Sequence, residues 1–153
     1  VNSKADQYEK LAAQLSSLLA GERDLIANAA NVSSLLFHSL PDLNWVGFYF
    51  ERDGELVLGP FQGKPACVRI KIGQGVCGTA ASKCETVIVP DVHQFPGHIA
   101  CDSVSNSEIV VPLLKGSKLV GVLDLDSPLL NRFDEDDAIG LERLNRILVE
   151  SID

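Results

Sequence analysis

NWVGFYFERDGELVLGPF, residues 44–61, is the stretch whose reading decides the fold. Side chains alternate along it. In an extended chain Trp45, Gly47 and Tyr49 fall on one face, and Val46, Phe48 and Phe50 on the other. Asp53-Gly54 is a two-residue turn pair, and Leu56 to Phe61 forms the returning strand. A second hairpin, EIVVPLLKGSKLVGVLDLDS (108–127), turns at Lys115 to Ser117. Both of its faces are apolar, so the sheet is expected to be covered on both sides.

Working outward, Cys67 to Lys71 is predicted as a strand, Val76 to Lys83 as a short helix after Gly73 and Gly75, and Val87 to Pro90 as a buried strand. Asp91 to Ser107 is the one long irregular stretch, and loops of that length in compact domains are often functional. Residues 4 to 20 put Tyr8, Leu11, Leu15, Leu18 and Leu19 on one helical stripe. Gly21 stops that helix, and a second runs from Glu22 to Leu40, ending at Pro41. A closing helix covers Asp134 to Glu150, where Asp134, Glu135 and Asp136 suit the positive end of the helix dipole. Its apolar side is Ile139, Leu144 and Ile147, with Leu141 and Leu148. The sum is one α/β domain over 1–153, with a helical part at about 4–40, sheet and site loops at 43–127 and a helix at 134–150. Its sheet is largely antiparallel and packed by the terminal helices.

Composition narrows the function. The 153 residues carry 46 % hydrophobic and 22 % charged side chains, an ordinary globular balance. A net charge of −8 argues against nucleic-acid backbones and anionic membranes as partners. No apolar run reaches the ~20 residues of a membrane span, and the opening residues lack a secretory pattern. A cytoplasmic location is the expectation. There, four cysteines are expected to be free, catalytic or metal-bound rather than permanent cross-links. The cysteines, His93 and His98 offer ligand types for zinc but none of the usual close pairs, so no metal is expected.

Several polar residues sit where a core is expected. Asp124 and Asp126 share one face of the last strand with Val120 and Val122. Like charge and burial would both hold a proton on one of them, and a proton donor beside a thiolate suits reduction of an oxygen-bearing sulfur. The alternative is that the strand here emerges into solvent at Asp126. Glu108 opens the partner strand, either exposed at its entry or turned inward on the same face. Trp45 and Tyr49 are core aromatics or the wall of a small pocket. His93 and His98 flank Pro96-Gly97 as bases, ligands or loop hydrogen-bonders. Gly73, Gly75 and Gly78 form turns and do not make a dinucleotide loop, whose long helix and downstream acid are missing.

Taken together, GPFQGKPACVRI (59–70), GQGVCGTA (73–80), PDVHQFPGHIACDSVSNSEIVVPL (90–113) and GVLDLDS (121–127) resemble the free methionine-(R)-sulfoxide reductases, enzymes on a GAF-domain scaffold. The likeness runs from the first hairpin to RFDEDD at 132–137. It implies a six-stranded antiparallel sheet with helices on both faces, and a closed pocket for a free amino acid. By resemblance Cys101 attacks the sulfoxide sulfur, Cys67 resolves the product, and Cys77 is a second thiol of the relay. Glu108, Asp124 and Asp126 match the carboxylates that hold substrate, while Trp45 and Tyr49 match an aromatic wall at its methyl end. Cys84 falls outside the pattern. The resemblance further implies thioredoxin as reductant, no cofactor and the R epimer as substrate; a homodimer through the N-terminal helices is compatible with the sequence. If Cys67 and Cys101 pair, their Cα atoms must approach to roughly 4.4–6.8 Å, which requires the 91–107 loop to fold back as a mobile lid. The rival reading is a non-catalytic GAF module that binds a small ligand or senses redox state.

Overall fold

A computed structural model describes residues 3–98 and 103–153. Helices α1 (Lys4–Leu18) and α2 (Leu25–Ser39) precede β1 (Trp45–Arg52) and β2 (Glu55–Gly63). Then come β3 (Arg69–Lys71), α3 (Gly75–Lys83), β4 (Val87–Val89), β5 (Ser107–Lys115), β6 (Lys118–Ser127) and α4 (Glu135–Ser151). The strands form one six-stranded sheet in the order β3-β2-β1-β6-β5-β4, and every neighbouring pair is antiparallel. The Asp53-Gly54 turn has φ of 52° and 86°, the double positive φ of a type I′ turn.

The alternation in β1 divides two cores. Val46, Phe48 and Phe50 join Ile109, Val111, Leu123 and Leu125 beneath α1, α2 and α4. Trp45 and Tyr49 join Val110, Val122 and Ile70 on the opposite face, beneath α3. Helices therefore do cover both faces. The second core is the thinner one, and the polar residues collect there.

Several elements differ from the sequence expectation. The strand expected at Cys67 begins only at Arg69, and β4 is a sheet-edge strand in which Val89 alone is buried. The second helix starts at Leu25, because the Asp24 carboxylate accepts from Ala27 N at 2.9 Å and caps it. Val120 lies on the α4 side, away from Val122. The reason is a bulge: Leu113 pairs with Gly121 and Leu114 with Leu119, which leaves Val120 as the extra residue. Leu18 and Ile139, both expected inside, are 47 % and 57 % exposed. Leu19, Ala138 and Leu141 take the buried positions.

One polar clasp joins the two ends of the chain. Asp137, buried in the first turn of α4, accepts from Tyr8 Oη at 2.7 Å and from Lys4 Nζ at 2.7 Å, and completes a capping box with Asp134. One turn further on, Gly140 lies against the Tyr8 ring, where an added Cβ would stand 2.1 Å from Tyr8 Cγ. In an exposed helix Gly→Ala gains about 1 kcal/mol. Gly140→Ala is instead expected to cost about 1–3 kcal/mol by overpacking, read as a lower denaturant midpoint with an unchanged slope.

Candidate active site

The site lies on the thinner side of the sheet, where β1, β5 and β6 run side by side. Register brings their polar residues together: Asp126 pairs with Trp45 on one side and Glu108 on the other, and Asp124 pairs with Gly47 and Val110. Gly47 is needed here, because a Cβ would meet Phe61 Cβ at 2.3 Å and the Trp45 ring at 2.7 Å. Its absence lets the indole lie over the strand and stack on Phe61 at 5.3 Å and near Tyr49 at 6.0 Å.

Trp45, Tyr49, Cys77, Glu108, Asp124 and Asp126 all line one cavity. Six of the eight residues that the resemblance assigned to the site thus share a pocket. Cys67 lies beside it: its carbonyl accepts from Tyr49 Oη at 2.8 Å, and the residue is disulfide-bonded. Cys101, and with it the expected Cα approach to Cys67, lies outside the described residues. Cys77 and Cys84 are free thiols, the former buried in α3 and the latter exposed at its C-terminal end.

Three polar lining residues, Gln74, His98 and Ser105, were not assigned to the site from sequence. Gln74 precedes α3, and His98 and Ser105 come from the long loop. His98 was noticed as a histidine, but nothing local gave its direction; its Nε2 stands 3.7 Å from Glu108 Oε1. His93 bonds Asn106 at 3.0 Å as a loop residue.

Electrostatics in the pocket favour neutral forms. Burial, then the neighbouring Asp126, holds the Asp124 carboxyl well above the usual carboxylate range. Burial, then Asp124, does the same to Glu108. Burial and the same carboxylates push the Cys77 thiol up, and burial pushes the His98 imidazole down. Both directions favour a neutral imidazole and a protonated acid at the His98–Glu108 contact. Among the described residues Asp124 Oδ1 is buried with no hydrogen-bond partner, which leaves an acceptor for an incoming donor.

Cys77, Glu108 and Asp124 place one ligand atom each within 4.8 Å of one another, and these three are the described residues that could hold a metal ion. Metal binding needs the deprotonated ligands, whereas burial here favours all three proton-bearing forms. The chemistry of the set suits proton donation better than metal capture.

The GAF domain family model matches residues 6–148. Protein YtsP of Bacillus subtilis is 59 % identical over 88 % of this chain and 83 % of its own. The free methionine-R-sulfoxide reductase of Escherichia coli is 51 % identical over 93 % of this chain and 86 % of its own. The chain belongs to the free methionine-R-sulfoxide reductase family of GAF domains. The structure of the reductase from Neisseria meningitidis, in complex with its substrate, superposes with a TM-score of 0.94. It is 47 % identical, and the match covers 99 % of this chain and 91 % of that one. Fold and family thus agree with the resemblance carried by the four motifs. No described helix is long and apolar enough to cross a membrane.

Proposed function

We propose that this chain reduces free L-methionine (R)-sulfoxide to methionine with its own thiols. The observation that carries the reading is that two buried carboxyls, Asp124 and Glu108, line an aromatic-walled pocket, where burial favours their protonated forms. The Cys101 thiolate attacks the electrophilic sulfur while one of these carboxyls gives its proton to the sulfoxide oxygen. The substrate sulfur gains two electrons and leaves as methionine; Cys101 loses two and carries the oxygen as a sulfenic acid. Cys67 condenses with it, releasing water and forming a disulfide. An external dithiol, by family likeness thioredoxin, returns both thiols by exchange. That Cys67 is disulfide-bonded supports its part in this cycle. Cys77 is a poorer nucleophile, since burial keeps it as the thiol.

Substrate fits the same surfaces. The Trp45 and Tyr49 rings suit its methylthio end. Racemic free methionine sulfoxide, incubated with protein and dithiothreitol, is expected to lose its R epimer while the S epimer persists. A protein-bound methionine sulfoxide is expected to remain. Equal loss of both epimers, or none, would contradict the proposal.

A further inference from the structure

Tyr49 and Trp45 do more than wall the cavity. Residues 64–68 join β2 to β3, and among the described residues three hydrogen bonds tie this joint to the sheet. The Trp45 indole donates to Lys64 O at 3.1 Å, the Tyr49 hydroxyl to Cys67 O at 2.8 Å, and Leu58 N to Val68 O at 2.9 Å. Two of the three come from side chains on β1, which is held on both sides by β2 and β6. The joint itself is not stiff by construction: β3 is three residues long, and Val68 is 60 % exposed. Tyr49, by contrast, is buried, and burial pushes its hydroxyl up, so it stays protonated and donating.

We propose that Tyr49 is a positioning residue for disulfide formation, its hydroxyl fixing the Cys67 backbone so that the Cys67 thiol meets the sulfenic acid. The inference rests on the reductase reading and concerns its second step alone. In that step the Cys67 sulfur bonds to the Cys101 sulfur, the S–O bond of the sulfenic acid breaks, and the hydroxyl leaves with a proton as water. No further reactant is needed. The rate depends on how often the two sulfurs meet in line, and a displacement of about 1 Å in such a step costs up to about 100-fold. Tyr49→Phe retains the ring and removes the hydroxyl that donates to the Cys67 carbonyl.

The test is the lifetime of the sulfenic acid, which does not depend on how fast it formed. Reduced chain is mixed with one equivalent of free methionine (R)-sulfoxide. Samples are then trapped over time with a dimedone-type reagent and counted by mass. Tyr49→Phe is expected to lengthen the lifetime about 10- to 100-fold. Trp45→Phe, which frees the joint at Lys64, is expected to lengthen it by a smaller factor and keeps the test open should the first variant fold poorly. A Tyr49→Phe lifetime equal to that of the parent overturns the inference while leaving the reductase reading intact. Failure to trap any sulfenic acid in the Cys67→Ser, Cys77→Ser double variant, where it should persist longest, overturns that reading and this inference with it.

Discussion

Cys101→Ser is expected to lower turnover of free methionine (R)-sulfoxide by about 10⁴-fold or more, the scale of losing an attacking atom. A serine hydroxyl stays protonated at neutral pH and cannot carry the oxygen as a reversible sulfenic acid. Rescue by the other thiols is not expected. Burial, and after it the neighbouring Asp124 and Glu108, keeps Cys77 as the thiol, and Cys84 sits at the exposed end of α3, away from the cavity lining. Cys67→Ser should behave differently, releasing about one methionine per chain before multiple turnover stalls. Steady-state and single-turnover assays on the two variants separate attack from resolution. Full activity in Cys101→Ser would show that the nucleophile is wrongly assigned.

Asp124→Asn is expected to lose activity and gain stability. Loss of a positioned acid costs about 10²- to 10⁴-fold, and Asn has no transferable proton. The stability change follows from the direction of the pKa shift. Burial raises the Asp124 carboxyl in the folded chain, so between the unfolded value of about 3.9 and the raised folded value the folded chain binds more protons. That contribution is complete below the unfolded value and is lost as pH rises through the folded one. Asn keeps the shape and never ionises. The variant should therefore melt at a higher Tm than the parent at pH 8, with the difference closing toward pH 4. A lower Tm at every pH would mean that Asp124 holds the sheet together and is not kept there at a cost to stability.

The sequence exposed the frame of the fold more readily than its exceptions. Strict alternation in residues 45–50 and the Asp53-Gly54 pair made the first hairpin readable, since period and turn chemistry agree there. Val120 misled because a bulge shifts register without any mark in the local pattern. Leu18 and Ile139 misled because an apolar stripe wider than the contact leaves one edge in solvent. At the site, Asp124 and Asp126 stood out as acids on an apolar strand. Glu108 did not, because its burial depends on which strand lies beside it, and register set by distant residues decides that. His98, Gln74 and Ser105 reach the pocket from irregular segments, where no periodicity gives a side chain's direction. Tyr49 could be read as an aromatic wall, but its bond to the Cys67 carbonyl is a tertiary fact.

The most direct measurement follows a single turnover of reduced chain carrying Cys67→Ser and Cys77→Ser, mixed with excess free methionine (R)-sulfoxide. One methionine released per chain is expected, with one trapped sulfenic acid mapped by mass to the peptide bearing Cys101. Methionine released without an adduct on that peptide, or an adduct on Cys84 in its place, would contradict the proposal.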